Sequence, residues 1–316
     1  MIRPWLAAVL ALCACPAVSA QGLTGEQSGM LSDARRQALD YSKWLPDLIC
    51  TEVIRRDTDW GSTGQWTFVD TLTAQVTYFE RKEGYKLIAH NQHSANQRLE
   101  NLSGAISKGE FGSMLRWIFD PDSEAAFEWK GTDKIRRMST AVLAYRVAAS
   151  HSRLELTALA DSIFTGFHGL VYVDDKTKLI LRLTAETNGP EHFPIRGWSV
   201  SVDYDWTEIN GHRYLVPVRA ETLMTEDSTA TSPAAAPAPN GASAPSVPCV
   251  SCGSGQGPIF RTPGTGAGKQ HPAGSETRYR NRIEFRDYRK FTTDSIVNFG
   301  PDPGSLPSDR APKKIQ

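Results

Sequence analysis

The chain has 316 residues, and its 35 lysines and arginines balance 35 aspartates and glutamates, for a formal net charge of zero. With the charges interspersed, there is no basic surplus for phosphate backbones, which argues against nucleic acid as a partner. Beyond the first twenty residues, no stretch is apolar enough to cross a bilayer as a helix.

Residues 1–20 read as a cleavable secretory signal peptide. Arg3 supplies the positive start, and Leu6 to Cys15 form an uncharged apolar run, shorter than the roughly 20 residues a transmembrane helix needs. Val18-Ser19-Ala20 then places small side chains before a cut between Ala20 and Gln21. A rival cut exists, because Leu12-Cys13-Ala14-Cys15 resembles a lipobox that would lipidate Cys15. Cys13 at its second position and Pro16 just after the cut suit that reading poorly. The expectation is an exported protein, periplasmic or extracellular, with lipid anchoring at Cys15 as the alternative.

Leu31, Ala34, Ala38, Tyr41 and Leu45 recur at helical spacing, so the mature chain opens with an amphipathic helix that Pro46 helps to end. A strand follows from Leu48 to Arg55, then a turn region rich in Gly and Asp over 57–64. From Phe68 the period becomes two: Phe68, Leu72, Ala74, Val76 and Tyr78 share one face, and threonines 67, 71, 73 and 77 occupy the other. Gly84 marks a hairpin, continued by Tyr85, Leu87 and Ala89. Ser107-Lys108-Gly109-Glu110 reads as a capping box before a short helix that presents Phe111, Met114, Leu115, Ile118 and Phe119 and stops at Asp120-Pro121. Strands follow at Phe127–Trp129, Val142–Val147, Leu170–Val173 and Leu179–Thr184. Trp198, Val200, Val202, Tyr204 and Trp206 then alternate with polar residues on a half-buried strand. Asn210-Gly211 is a type I′ hairpin signal, and its partner strand runs His212 to Met224. The last strand carries Tyr279, Ile283 and Phe285.

Residues 226–277 hold 8 of the 19 prolines and 8 of the 25 glycines. Such a composition buries too little apolar surface to offset the entropy of ordering it, so it is expected to be a disordered insertion, and 300–316 a disordered tail. The remainder of 21–299 is long enough for one domain. The predicted fold is mainly β: one strongly curved antiparallel sheet or open barrel of about ten strands, with an N-terminal helix and a short inserted helix.

Of the cysteines that survive cleavage, Cys50 sits in an apolar strand and reads as a small core residue. Cys249 and Cys252 form a C-x-x-C within the Pro/Gly-rich stretch. No second pair exists for a zinc ribbon, and Gly253-Ser254-Gly255 denies the helix that a thioredoxin-type motif needs. In an oxidising compartment a local disulfide is the expectation.

Three runs carry a resemblance: Gly169-Leu170-Val171-Tyr172-Val173-Asp174; Val202-Asp203-Tyr204-Asp205-Trp206 with Ile209-Asn210-Gly211; and Arg282 to Phe291. They look like those of uncharacterised exported bacterial proteins. The element order is similar to the lipoprotein-carrier fold of the Lol system. That resemblance implies an open β-barrel with helices lidding an apolar cavity for acyl chains, and no catalytic motif to carry over.

Individual residues add little catalytic signal. His90 and His93 are three apart, on opposite faces if they share a strand, and His168 has no nucleophile motif beside it. Asp203 and Asp205 share a strand face at about 6.5–7 Å, a separation glycosidases use, but a hydrated outer face explains them better. Asn101-Leu102-Ser103 matches a glycosylation sequon, set aside because the resemblance is bacterial. No metal site or cofactor is predicted. Phe111, Met114, Leu115, Trp117, Ile118, Trp198, Val200, Val202 and Tyr204 are the candidate walls of an apolar site, because Met and aromatic side chains adapt to varied apolar ligands. The expected function is an exported, non-catalytic binding protein for an apolar ligand. The alternatives are a structural module that binds an envelope protein, and a hydrolase using Asp203 and Asp205.

Overall fold

A computed structural model describes residues 23–95, 102, 109–158, 161–227 and 276–290. The signal peptide with Cys15, Ala20 and Gln21, the Cys249/Cys252 pair, the sequon's Asn101 and Ser103, and the tail lie outside the described residues.

Helix α1 spans Gly25–Trp44, and α2 spans Ser113–Phe119. The strands are β1 (Leu48–Trp60), β2 (Thr67–Phe79), β3 (Lys82–His90), β4 (His93–Ser94), β5 (Ala126–Ile135), β6 (Met138–Val147), β7 (Glu155–Ala158), β8 (Asp161–Phe164), β9 (Phe167–Asp174), β10 (Ile180–Asn188), β11 (Ile195–Ile209), β12 (His212–Asp227) and β13 (Glu276–Lys290). Eleven of them form one antiparallel sheet in the order β4-β3-β2-β1-β13-β12-β11-β10-β9-β6-β5, while β7 and β8 pair separately. The sheet is open, with β4 and β5 at its two edges. This is the expected mainly-β architecture, with the N-terminal and inserted helices in their predicted places.

The sheet curls, and ring contacts prove it. Phe111 stacks on Tyr78 of β2 at 6.2 Å, and Phe119 stacks on Phe127 of β5 at 5.4 Å. Those strands are eight steps apart in the sheet, about 38 Å if it were flat. A mostly helical stretch from Phe111 to Phe119 reaches only about 12 Å. The two wings therefore bend toward each other around α2. Alternate strand residues face this enclosed side, among them Leu72, Val76, Leu143, Val171, Leu183 and Val202, each buried.

Several local readings are corrected. Thr24 caps α1 in a reciprocal box with Gln27. By contrast, α2 begins at Ser113 behind Gly112 with no side-chain cap, later than the Ser107–Glu110 box implied. The β2–β3 turn is Glu80-Arg81, not Gly84, which lies inside β3. Four hairpins turn on two residues of positive φ: Glu80-Arg81, Asn91-Gln92, Arg136-Arg137 and Asn210-Gly211. Only the last has the glycine that eases that conformation. The Asn91-Gln92 turn makes His90 and His93 cross-strand neighbours rather than residues on opposite faces of one strand. The β12 and β13 ladder reaches Asp227 and Glu276, so both ends of the expected 226–277 insertion are strand, and 228–275 lies outside the described residues.

Strand β1 runs to Trp60, through what composition marked as a turn. Its far half is polar yet buried: Arg56, Asp57, Thr58 and Asp59. Partners from distant segments explain this. Asp70 accepts two hydrogen bonds from Arg56 and lies 2.8 Å from His90 Nε2. A bulge between Arg56 and Asp57 turns Asp70, rather than Phe68, to the inner face and leaves Phe68 exposed. Asp70→Ala removes the buried carboxylate that Arg56 and His90 share, and is expected to cost about 3–5 kcal/mol, read as a lowered urea midpoint.

Gly169 has a steric reason. A Cβ there would lie 2.0 Å from the Thr184 carbonyl oxygen, the acceptor that the Tyr145 hydroxyl reaches at 2.7 Å.

Candidate functional site

The nine residues predicted to line an apolar site all reach the enclosed side of the sheet. Phe111 and α2 supply Phe111, Met114, Leu115, Trp117 and Ile118, and β11 supplies Trp198, Val200, Val202 and Tyr204. Every one is buried, the most exposed being Trp117 at 8%. All nine belong to one buried apolar cluster. Tyr204 donates a 2.8 Å hydrogen bond to the Glu110 carbonyl, and Phe111 packs edge-on against Phe285 of β13.

Tyrosine hydroxyls tie elements of the enclosed side to main-chain carbonyls. Tyr41 of α1 donates to the Leu215 carbonyl at 3.0 Å and meets the Tyr204 ring edge-on at 5.9 Å. Tyr288 donates to the carbonyl of Pro217, which sits beside the β11–β12 register shift. Burial raises the hydroxyl pKa of Tyr41, Tyr204 and Tyr288, so all three stay neutral donors.

A polar cluster holds the start of α2. Tyr85 donates to Glu83 at 2.6 Å, lies 3.2 Å from a Glu110 carboxyl oxygen and accepts from the Gly109 N–H. Ser113, the first residue of α2, donates to Glu83 at 3.1 Å. Burial pushes the Glu83 carboxyl above its usual range, against the hydrogen bonds from Tyr85 and Ser113 that favour the ionised form.

An apolar cleft of about 370 Å³ opens where the end of α1 meets the β11–β12 hairpin. Its walls include Tyr41, Trp44, Leu179, Trp206, Tyr214 and Leu215. Trp44 is 71% exposed at the rim, and Arg213 stacks over Trp206 at 5.6 Å. Tyr41 joins the cleft to the α2 core through Tyr204. Sequence reasoning placed Tyr41 and Trp206 on apolar faces but assigned no site here. The available signal was Trp44, a large aromatic off the helix's apolar face. A larger concavity of about 750 Å³ lies on the helix-free face, lined by charged and small residues such as Glu128, Lys130, Arg146 and Glu186.

The remaining candidates have structural partners. Arg182 grips Asp203 through two hydrogen bonds, Asp205 lies 3.4 Å from Arg136, and His168 pairs with Glu186 at 3.0 Å. Cys50 is a buried free thiol. Among the described residues, no group of three or more His, Cys, Asp or Glu could hold a metal, and no helix is long and apolar enough to cross a membrane.

No family model matches the chain, and no curated protein matches it in sequence. Solved structures that the chain is similar to include a DUF1329 family protein from Desulfovibrio piger, at 9% identity and TM-score 0.34, covering 84% of this chain and 93% of that one. A LolA superfamily protein from Nitrosomonas europaea has 12% identity and TM-score 0.34, with coverage of 85% and 96%. An outer membrane lipoprotein-sorting protein domain from Vibrio parahaemolyticus has 11% identity and TM-score 0.33, with coverage of 83% and 92%.

The Glu83 cluster predicts how α2 responds to pH. A carboxyl harder to ionise when folded contributes stability that is full below its unfolded value, near 4.5, and is lost as pH rises through its folded value. Amide exchange across 113–119, corrected for intrinsic rates, is expected to be faster at pH 7 than at pH 4. Glu83→Gln keeps one acceptor oxygen and turns an NH2 donor to the other hydroxyl, removes the charge, and is expected to remove that difference.

Proposed function

We propose that this protein is an exported, non-catalytic carrier that holds an apolar ligand between its helices and the enclosed face of the sheet. The observation that carries this reading is the cleft at Trp44. Its volume of about 370 Å³ falls within the range of small-molecule sites, its walls are aromatic and aliphatic, and its floor is continuous with the buried interior. A tryptophan left 71% exposed at such a rim gains by covering an apolar guest.

The nine buried residues around α2 are the surfaces an acyl chain meets as it advances past Tyr41 and Tyr204. Admitting it requires α2 to shift. A seven-residue helix without a side-chain cap has little stability of its own and is held in place by its packing. Met114 and Trp117 can repack against varied chains.

One observation favours a different reading, a structural or interaction module of the cell envelope. The interior is already filled by its own side chains, with each of the nine residues at or below 8% exposure.

Titration with an environment-sensitive fluorescent fatty acid separates the two. The carrier reading expects saturable binding that unlabelled fatty acid competes away. It also expects about tenfold weaker binding for Trp44→Ser, the loss of roughly 1.4 kcal/mol of apolar contact. Absence of saturable binding, together with a ligand-free mass for protein purified from its own envelope, supports the module instead.

A further inference from the structure

The far end of β1 carries a second surface, twelve residues and about 40 Å from the cleft end of the strand. Three large apolar side chains crowd the tip of the β1–β2 hairpin: Trp60 at 42% exposure, Phe68 at 47% and Val69 at 49%. Val69 is the extra residue of the bulge. Phe68 stands opposite Asp57 on the helix-free face, whereas Trp60 continues the alternation of Ile54, Arg56 and Thr58 on the other. The tip therefore offers apolar surface on both faces, and neither helix covers it.

Behind the tip stands a row of arginines. Asp57, 3% exposed, lies 3.5 Å from Arg55, 3.4 Å from Arg280 and 2.9 Å from Arg282. Asp59 is paired with Arg278 at 2.6 Å. Burial alone would raise the Asp59 carboxyl, but hydrogen bonds from Arg278, Gly64 and Thr63 hold it down at about 2, so this pin stays charged. Aromatic rings fix the same guanidiniums: Arg55 stacks 4.3 Å over Phe68, while Arg280 and Arg278 lie 4.3 and 5.2 Å over Trp66. Four guanidiniums share two carboxylates in these ion pairs, which leaves donors unused, since each guanidinium carries five. The buried Arg280 Nε has no acceptor. Glu221 stands opposite Arg282 in the register and forms no ion pair with it.

The geometry points to a docking site for an anionic phospholipid surface, made of the Trp60/Phe68/Val69 tip and the Arg55/Arg278/Arg280/Arg282 row. Planar, pre-oriented guanidiniums match phosphate oxygens. Exposed aromatic residues settle at the depth where headgroups meet acyl chains. A small soluble anion would use the arginines but not the tip, and the tip is what selects the lipid source. The site is independent of the carrier reading, and it leaves the cleft, at the other end of β1, facing away from the surface.

Sedimentation with vesicles of the protein without residues 1–20, the form expected after export, tests it. Phosphatidylcholine vesicles containing phosphatidylglycerol are expected to bind the protein, and phosphatidylcholine alone is not, with binding falling as salt rises. Arg55→Gln and Arg282→Gln are each expected to weaken binding about fivefold. The double variant Phe68→Ser/Val69→Ser is expected to abolish it while circular dichroism stays unchanged. Brominated acyl chains are expected to quench part of the tryptophan emission of the wild-type complex, a readout that needs no variant to fold. Equal binding to neutral vesicles, unchanged binding by the tip variant, absence of quenching, or full displacement by inorganic phosphate would overturn the assignment.

Discussion

An eleven-stranded sheet that is apolar on one side has to hide that side, and this one does so without closing on itself. Its edge strands never meet, so the enclosed face needs material from elsewhere, and α1 and α2 supply it. Phe111 and Phe119 reach opposite wings of the sheet from a single short segment. The burial of α2 is thus also what draws the wings together. The curl, the packing of Tyr41 on Tyr204 and the position of the cleft all follow from that one contact.

The two faces of the sheet carry different chemistry. On the enclosed side, tyrosine hydroxyls reach main-chain carbonyls at Glu110, Thr184, Leu215 and Pro217, so polar atoms inside an apolar core keep partners. On the helix-free side, charge is arranged in cross-strand pairs such as Arg182–Asp203, Arg278–Asp59 and His168–Glu186. Strand β1 changes character along its length. Its first half packs Leu48, Cys50 and Ile54 against the core, and its second half buries Arg56, Asp57 and Asp59 among partners from β2 and β13.

Periodicity made some of the candidate site legible. Trp198, Val200, Val202 and Tyr204 alternate on β11, and Met114, Leu115 and Ile118 line α2, so their inward direction followed from spacing alone. That they meet each other depends on the curl, which no local pattern encodes. The cleft was not legible. Trp44 lies more than a hundred residues from both Leu179 and Leu215, and nothing local marks the three as neighbours. The polar half of β1 was misread for a similar reason. Aspartates and arginines signal a turn until Asp70, Arg280 and Arg282 arrive from elsewhere to pair with them.

By itself the sequence determined the mainly-β class, the two helices and their order, the Asn210-Gly211 hairpin and which face of most strands turns inward. These follow from side-chain period and turn chemistry, which act over a few residues. The tertiary structure alone decided that Glu80-Arg81 and Arg136-Arg137 can turn hairpins without glycine, that a buried ladder of charge extends β1, and that an apolar cleft opens at Trp44. Each of these depends on long-range partners that offset a local cost: strand pairing for the positive φ angles, opposite charges for the buried arginines and aspartates, and two helices for the uncovered face.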